Sequence, residues 1–143
     1  MVNTWIPKET NTHQDHVIAH VLGTTVLAYF VHDEVIYLLL DIGFVWNIFL
    51  DGEMGLLPHP VAVSELDVDD ETRDQLRADI DVVLTARHGD LKRLQQSPTD
   101  CLIEEVTFVV AGDRMKLVLA GKPGGLEIKL SLERRSIEVS AAE

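Results

Sequence analysis

Residues 35–50 read VIYLLLDIGFVWNIFL, thirteen hydrophobic residues in sixteen. A second apolar run, Val17–Val31, precedes it across the short polar link His32-Asp33-Glu34. A membrane-spanning helix needs roughly 20 apolar residues. These runs stop short of that, Asp41 interrupts the second, and no Lys or Arg lies between Lys8 and Arg73 to set an orientation. The β-branched and aromatic content points instead to strands: Thr24–Val31, Val35–Asp41 and Phe44–Leu50, with turns at His32-Asp33-Glu34, Ile42-Gly43 and Asp51-Gly52. Neither parity of residues 35–50 is consistently polar, whereas a sheet with one solvated face shows a polar alternate row. Both faces of this first sheet must therefore be covered, by a helix of the same chain or by another subunit.

Upstream, Thr12-His13-Gln14-Asp15 resembles a capping box and Gly23 suits the position after a helix, which predicts a short helix over 13–22. Downstream, Leu56–Val63 with Pro58 and Pro60 predicts an extended connection. Asp67–Glu71 then loads acids where the free N–H groups of a helix start favour them. Leu76, Ile80, Val83, Leu84, Leu91 and Leu94 follow at helical steps, with Arg87, Lys92 and Arg93 towards the far pole. This predicts one long amphipathic helix over about 70–95, with His88-Gly89 as its weak point. The remainder alternates: Val106/Phe108/Val110, the Gly112-Asp113 turn, Met115/Leu117/Leu119, a loop at residues 121–125, Leu126/Ile128/Leu130/Leu132 and a short Ile137/Val139 strand. The expected fold is a single α+β domain over residues 1–143, antiparallel, of order α-βββ-α-βββ(β), with the long helix packed on sheet.

The chain carries 12 Lys and Arg against 24 Asp and Glu, a net charge of −12. Residues 1–72 hold one base, Lys8, and twelve acids, so −11 of the excess lies in the first half. Phosphate binding needs clustered Lys and Arg, so nucleic acid and anionic membrane surfaces are excluded as partners. A basic protein surface or a cation is allowed. Cys101 is alone, and the N-terminal residues lack the pattern of a secretory signal, so the expectation is a cytoplasmic protein.

Three constellations bear on function. His13, His16 and His20 fall on one face of a helix, beside Asp15, and neutral imidazoles ligate zinc, copper and nickel. The general-base Glu of a zinc protease is absent, since position 17 is Val. The turn acids Asp33, Glu34, Asp41, Asp51 and Glu53, with His32 and His59, could converge at one sheet edge, and Asp41 would be a candidate if it faced inward. Seven of the eight aromatics, among them Tyr29, Tyr37, Phe44, Trp46 and Phe49, lie within the first 49 residues. Aromatics concentrate in cores and at interfaces alike. Residues 67–78 lack the Gly and Glu of an EF-hand, and the Gly121 segment lacks the GK[ST] of a P-loop.

The leading expectation is a non-enzymatic interaction module that homodimerises through its apolar first sheet and needs no cofactor. A divalent-metal protein using His13, His16 and His20, and a carrier of a small apolar ligand among the aromatics, stand beside it.

Overall fold

A computed structural model describes residues 5–32, 34–49, 62–66, 68–85, 91–131 and 133–142. In chain order they form β1 (Ile6–Lys8), α1 (Thr12–Val21), β2 (Thr25–His32), β3 (Val35–Leu40), β4 (Val45–Phe49), a 3-10 turn (Val63–Glu65), α2 (Asp70–Leu84), β5 (Gln95–Ala111), β6 (Arg114–Pro123), β7 (Gly125–Ser131) and β8 (Ser136–Ala142). The strands make one antiparallel sheet, ordered β4-β3-β2-β5-β6-β7-β8, with β1 paired to β5. The chain is thus α+β as expected, but its order is β-α-βββ-α-ββββ.

Strand β5 joins the two halves. Its first residues pair with β2 and its later ones with β6 and β1. Opposite β2, Val26 faces Cys101 while Ala28 faces Gln96, so Ser97–Asp100 bulge from the ladder. Pro98, which has no N–H to give, sits in that bulge. A second irregularity separates Ile103 from Glu105. Bulges sharpen twist, and this sheet coils far enough for Arg135, after β7, to ion-pair with Glu34 between β2 and β3. Gly121 permits the tight pairing beside the bulge: a Cβ there would lie 2.3 Å from the Leu102 carbonyl oxygen and 2.7 Å from Cys101 Sγ.

Two cores result. The first lies inside the coil, where Ile36, Leu38, Trp46 and Ile48 meet Leu117, Leu119, Leu126 and Ile128, and α1 inserts Val17 and Val21. The second lies on the opposite face of β2–β4, where Phe30, Tyr37, Leu39 and Val45 pack under Leu66, Leu76 and Leu94. The β2 bulge moves Val26 to the first core and Ala28 to the second. That is why the first strands carry no polar row: both faces are buried, and the second is closed by α2 of the same chain.

The helices differ from expectation at their ends. Helix α1 is capped one residue earlier, by Asn11, whose Oδ1 accepts the Gln14 N–H at 2.8 Å while Gln14 Oε1 accepts the Asn11 N–H at 3.1 Å. Gly23, at φ +85°, follows its C-cap as anticipated. Helix α2 has fifteen residues and ends at Leu84, well before residue 95. Leu91 and Leu94 continue the apolar stripe because they pack into the same second core, but they do so from the approach to β5. The expected loop at residues 121–125 is mostly strand, since Gly121–Pro123 pair with Cys101–Ile103. Val63 opens the 3-10 turn, while the rest of the expected connection, apart from Ala62, lies outside the described residues.

Candidate functional site

The aromatic residues do not gather around one pocket. Trp46 is buried in the first core, and Tyr29 packs against that core while its hydroxyl donates to Gln95 Oε1 at 2.8 Å. Tyr37 is buried in the second core, its ring edge-on to Phe30 at 5.6 Å. The space left under α2 between Phe30, Tyr37, Leu76 and Leu94 is about 10 Å³, no more than one water would need. Phe44 and Phe49 point outward, 45% and 40% exposed.

Phe44 precedes and Phe49 ends β4, the last strand in the sheet order. Among the described residues nothing pairs with its outer edge. Ile42, in the turn before it, is 54% exposed, and Leu84 at the end of α2 is 42% exposed. The two elements are close: a Cβ on Gly43 would lie 3.7 Å from Leu84 Cδ1. The strand itself, VWNIF, holds neither a charge nor a proline. Edge strands are ordinarily blunted by such residues, because a row of free N–H and C=O groups templates pairing.

The two described turn acids do not meet. Glu34 and Asp41 stand at opposite ends of β3, as successive turns of a meander must. Asp41 is exposed, and its Oδ1 accepts the Thr25 N–H at 3.1 Å, so it ties β2 to the β3 end. Asp33, Asp51, Glu53 and His59 lie outside the described residues.

On α1, His13, His16 and His20 are exposed, and the His16 and His20 rings meet edge-to-face with centroids 4.9 Å apart. Asp15 Oδ1 accepts the Thr10 hydroxyl. Among the described residues no group of three or more His, Cys, Asp or Glu is placed to hold one metal ion.

Two features escape the sequence patterns, Asp79 and the Trp5 recess, while Asp69 falls in the acidic run expected at a helix start. Asp79, on α2, is 1% exposed, and its carboxylate accepts the N–H groups of Lys92, Arg93 and Leu94 at 2.6–3.0 Å. Asp69 caps α2 by accepting the Thr72 N–H at 2.7 Å, and bonds from the Thr72 hydroxyl and N–H hold its pKa below the ordinary value. Trp5 lies over Lys116 Nζ at 4.6 Å and walls a recess of about 320 Å³ with Arg114, Lys129, Arg134, Glu133 and Glu138. With Asp113 also in that lining, bases and acids balance, and the recess has no net charge to attract an ion. Cys101 is buried, its Sγ 3.6 Å from the Leu119 carbonyl, and burial pushes its thiol pKa up.

The fold and its surface define the class: an antiparallel α+β fold with two cores and an apolar edge strand that no described residue pairs. No family model matches the chain, and no curated protein or solved structure matches it. No helix among the described residues is long and apolar enough to cross a membrane.

Proposed function

We propose that this chain is a non-enzymatic interaction domain that forms a homodimer along the β4 edge of its apolar first half-sheet. The supporting observation is the uncharged edge strand, ending in exposed Phe49 and preceded by exposed Ile42 and Phe44, with Leu84 near the turn before it. The faces of this half-sheet are closed by the second half-sheet with α1 and by α2, while the described residues at its β4 edge keep an exposed apolar margin. Antiparallel pairing of β4 with its copy about a two-fold axis satisfies the outer N–H and C=O groups of both strands and sets the Phe44 end of each strand beside the Phe49 end of the other. Asp41, exposed in the turn before β4, stands beside this contact, and the acid excess of the first half suits a basic protein partner.

Light scattering after size exclusion, over a range of protein concentrations, tests the dimer. The expected result is a mass that rises towards two copies, and a monomer for Phe44→Asp and Ile42→Asp. A strict monomer at every concentration refutes it. Repulsion between the acidic halves opposes self-association, so added salt should strengthen the dimer, whereas docking to a basic partner should weaken with salt.

A further inference from the structure

We propose that His16 and His20 form a two-imidazole clamp for a late first-row divalent cation, Cu²⁺, Ni²⁺ or Zn²⁺, on the outward side of α1. The two residues stand at i and i+4 on a ten-residue helix, so their side chains occupy successive turns of one face. Their ring centroids are 4.9 Å apart. A metal–imidazole bond of about 2.0–2.1 Å puts each ring centroid roughly 3.2 Å from the ion. Two rings bound at angles between square-planar and tetrahedral then lie about 4.5–5.2 Å apart. The observed separation falls inside that window, so a metal can be taken up by ring rotation with the backbone in place.

The structure also narrows the ligand set from the broader cluster on this helix. Asp15 is engaged by the Thr10 hydroxyl, and His13 lies two turns from His20, about 10 Å along the axis. Both clamp residues are exposed, so water completes the coordination shell. The bound ion cross-links one turn of the helix whose other side inserts Val17 and Val21 into the first core. Metal binding therefore stabilises the fold.

The test uses the full chain, purified without an affinity tag and stripped with chelator, titrated calorimetrically with NiCl₂, CuCl₂ and ZnCl₂. Thermal unfolding is followed with and without each metal. One ion per chain should bind with micromolar affinity, Cu²⁺ most tightly, and the unfolding midpoint should rise. His16→Ala and His20→Ala should each weaken binding at least about tenfold and abolish the rise in midpoint, since either leaves a single imidazole. His13→Ala should stay within about twofold of the parent. Absence of binding at millimolar metal overturns the clamp. So does retention of binding in His16→Ala or His20→Ala, or loss of binding in His13→Ala.

Discussion

Asp79 offers the sharpest test of how this fold is held. Its buried carboxylate receives the N–H groups of three consecutive residues, Lys92 at 2.9 Å, Arg93 at 2.6 Å and Leu94 at 2.9 Å, and so ties the approach to β5 onto α2. A hydrogen bond to a charged group contributes about 1.5–3 kcal/mol net, and an orphaned buried donor costs about 1–3 kcal/mol. Lys92 and Arg93 are exposed, so in Asp79→Ala their amides can turn to water, while the amide of Leu94, a residue only 6% exposed, is stranded. The expected loss is about 2–5 kcal/mol, or roughly 3 °C of melting temperature per kcal/mol for a chain of this size. In Asp79→Asn one oxygen remains to serve Arg93 and Leu94, and the lost charge and one lost acceptor should cost about 1–2 kcal/mol. Urea unfolding measures both values, and amide exchange at Leu94 should accelerate selectively in the Ala variant. Equal stability of Asp79→Ala and the parent, or an Asn variant as damaged as the Ala variant, refutes the reasoning.

The Cys101 thiol should resist alkylation at neutral pH until the chain unfolds, because burial both hides it and disfavours its thiolate; labelling followed by mass spectrometry with and without urea checks this. Gly121→Ala should destabilise by about 1–3 kcal/mol, since the new methyl meets the Leu102 backbone and Cys101 Sγ, and its urea midpoint reports the loss. The pKa of Asp69 is lowered in the folded state, so its ionic contribution is fully present above the ordinary value of 3.8 and disappears as pH falls through the lowered one. The stability gap between the parent and Asp69→Ala should accordingly narrow in acid, measured as urea midpoints at neutral and low pH.

Much of this architecture is legible in local patterns, and what escapes them is non-local. The alternation of Leu117, Leu119, Leu126, Ile128 and Leu130 with outward Lys116, Glu127 and Lys129 identifies the second half-sheet directly, because one of its faces is wet. In residues 35–50 the absence of alternation is itself the signal, and it correctly demands a cover on both faces. Sequence spacing cannot say that α2 supplies the cover. The length of α2 is overread for a specific reason: Leu91 and Leu94 keep the helical step because they face the same core as Leu76 and Ile80. Asp79 is invisible as a key residue because it looks like one acid among several on a polar helix. Its partners are backbone groups thirteen to fifteen residues away. Of the turn acids, Glu34 and Asp41 lie among the described residues, and antiparallel pairing puts these two at opposite ends of β3.

Charge and apolarity share the first half of the chain, and the structure separates them by position. Apolar side chains fill both faces of β2–β4, while Glu34 and Asp41 occupy turns and Asp69, Asp70 and Glu71 the start of α2. The consequence is an asymmetry between faces and edge. One face packs on the second half-sheet with α1 at its side, the other is sealed by α2, and Asp79 is one of the groups holding the α2 seal. The β4 edge has only backbone and the Phe44 margin to offer. A dimer built there is small, opposed by like charge, and favoured by salt. A dimer built on a face would require α2 to leave, and would appear only in variants such as Asp79→Ala. If Asp79→Ala associates where Phe44→Asp in the same chain does not suppress it, the contact has moved from the edge to the opened face.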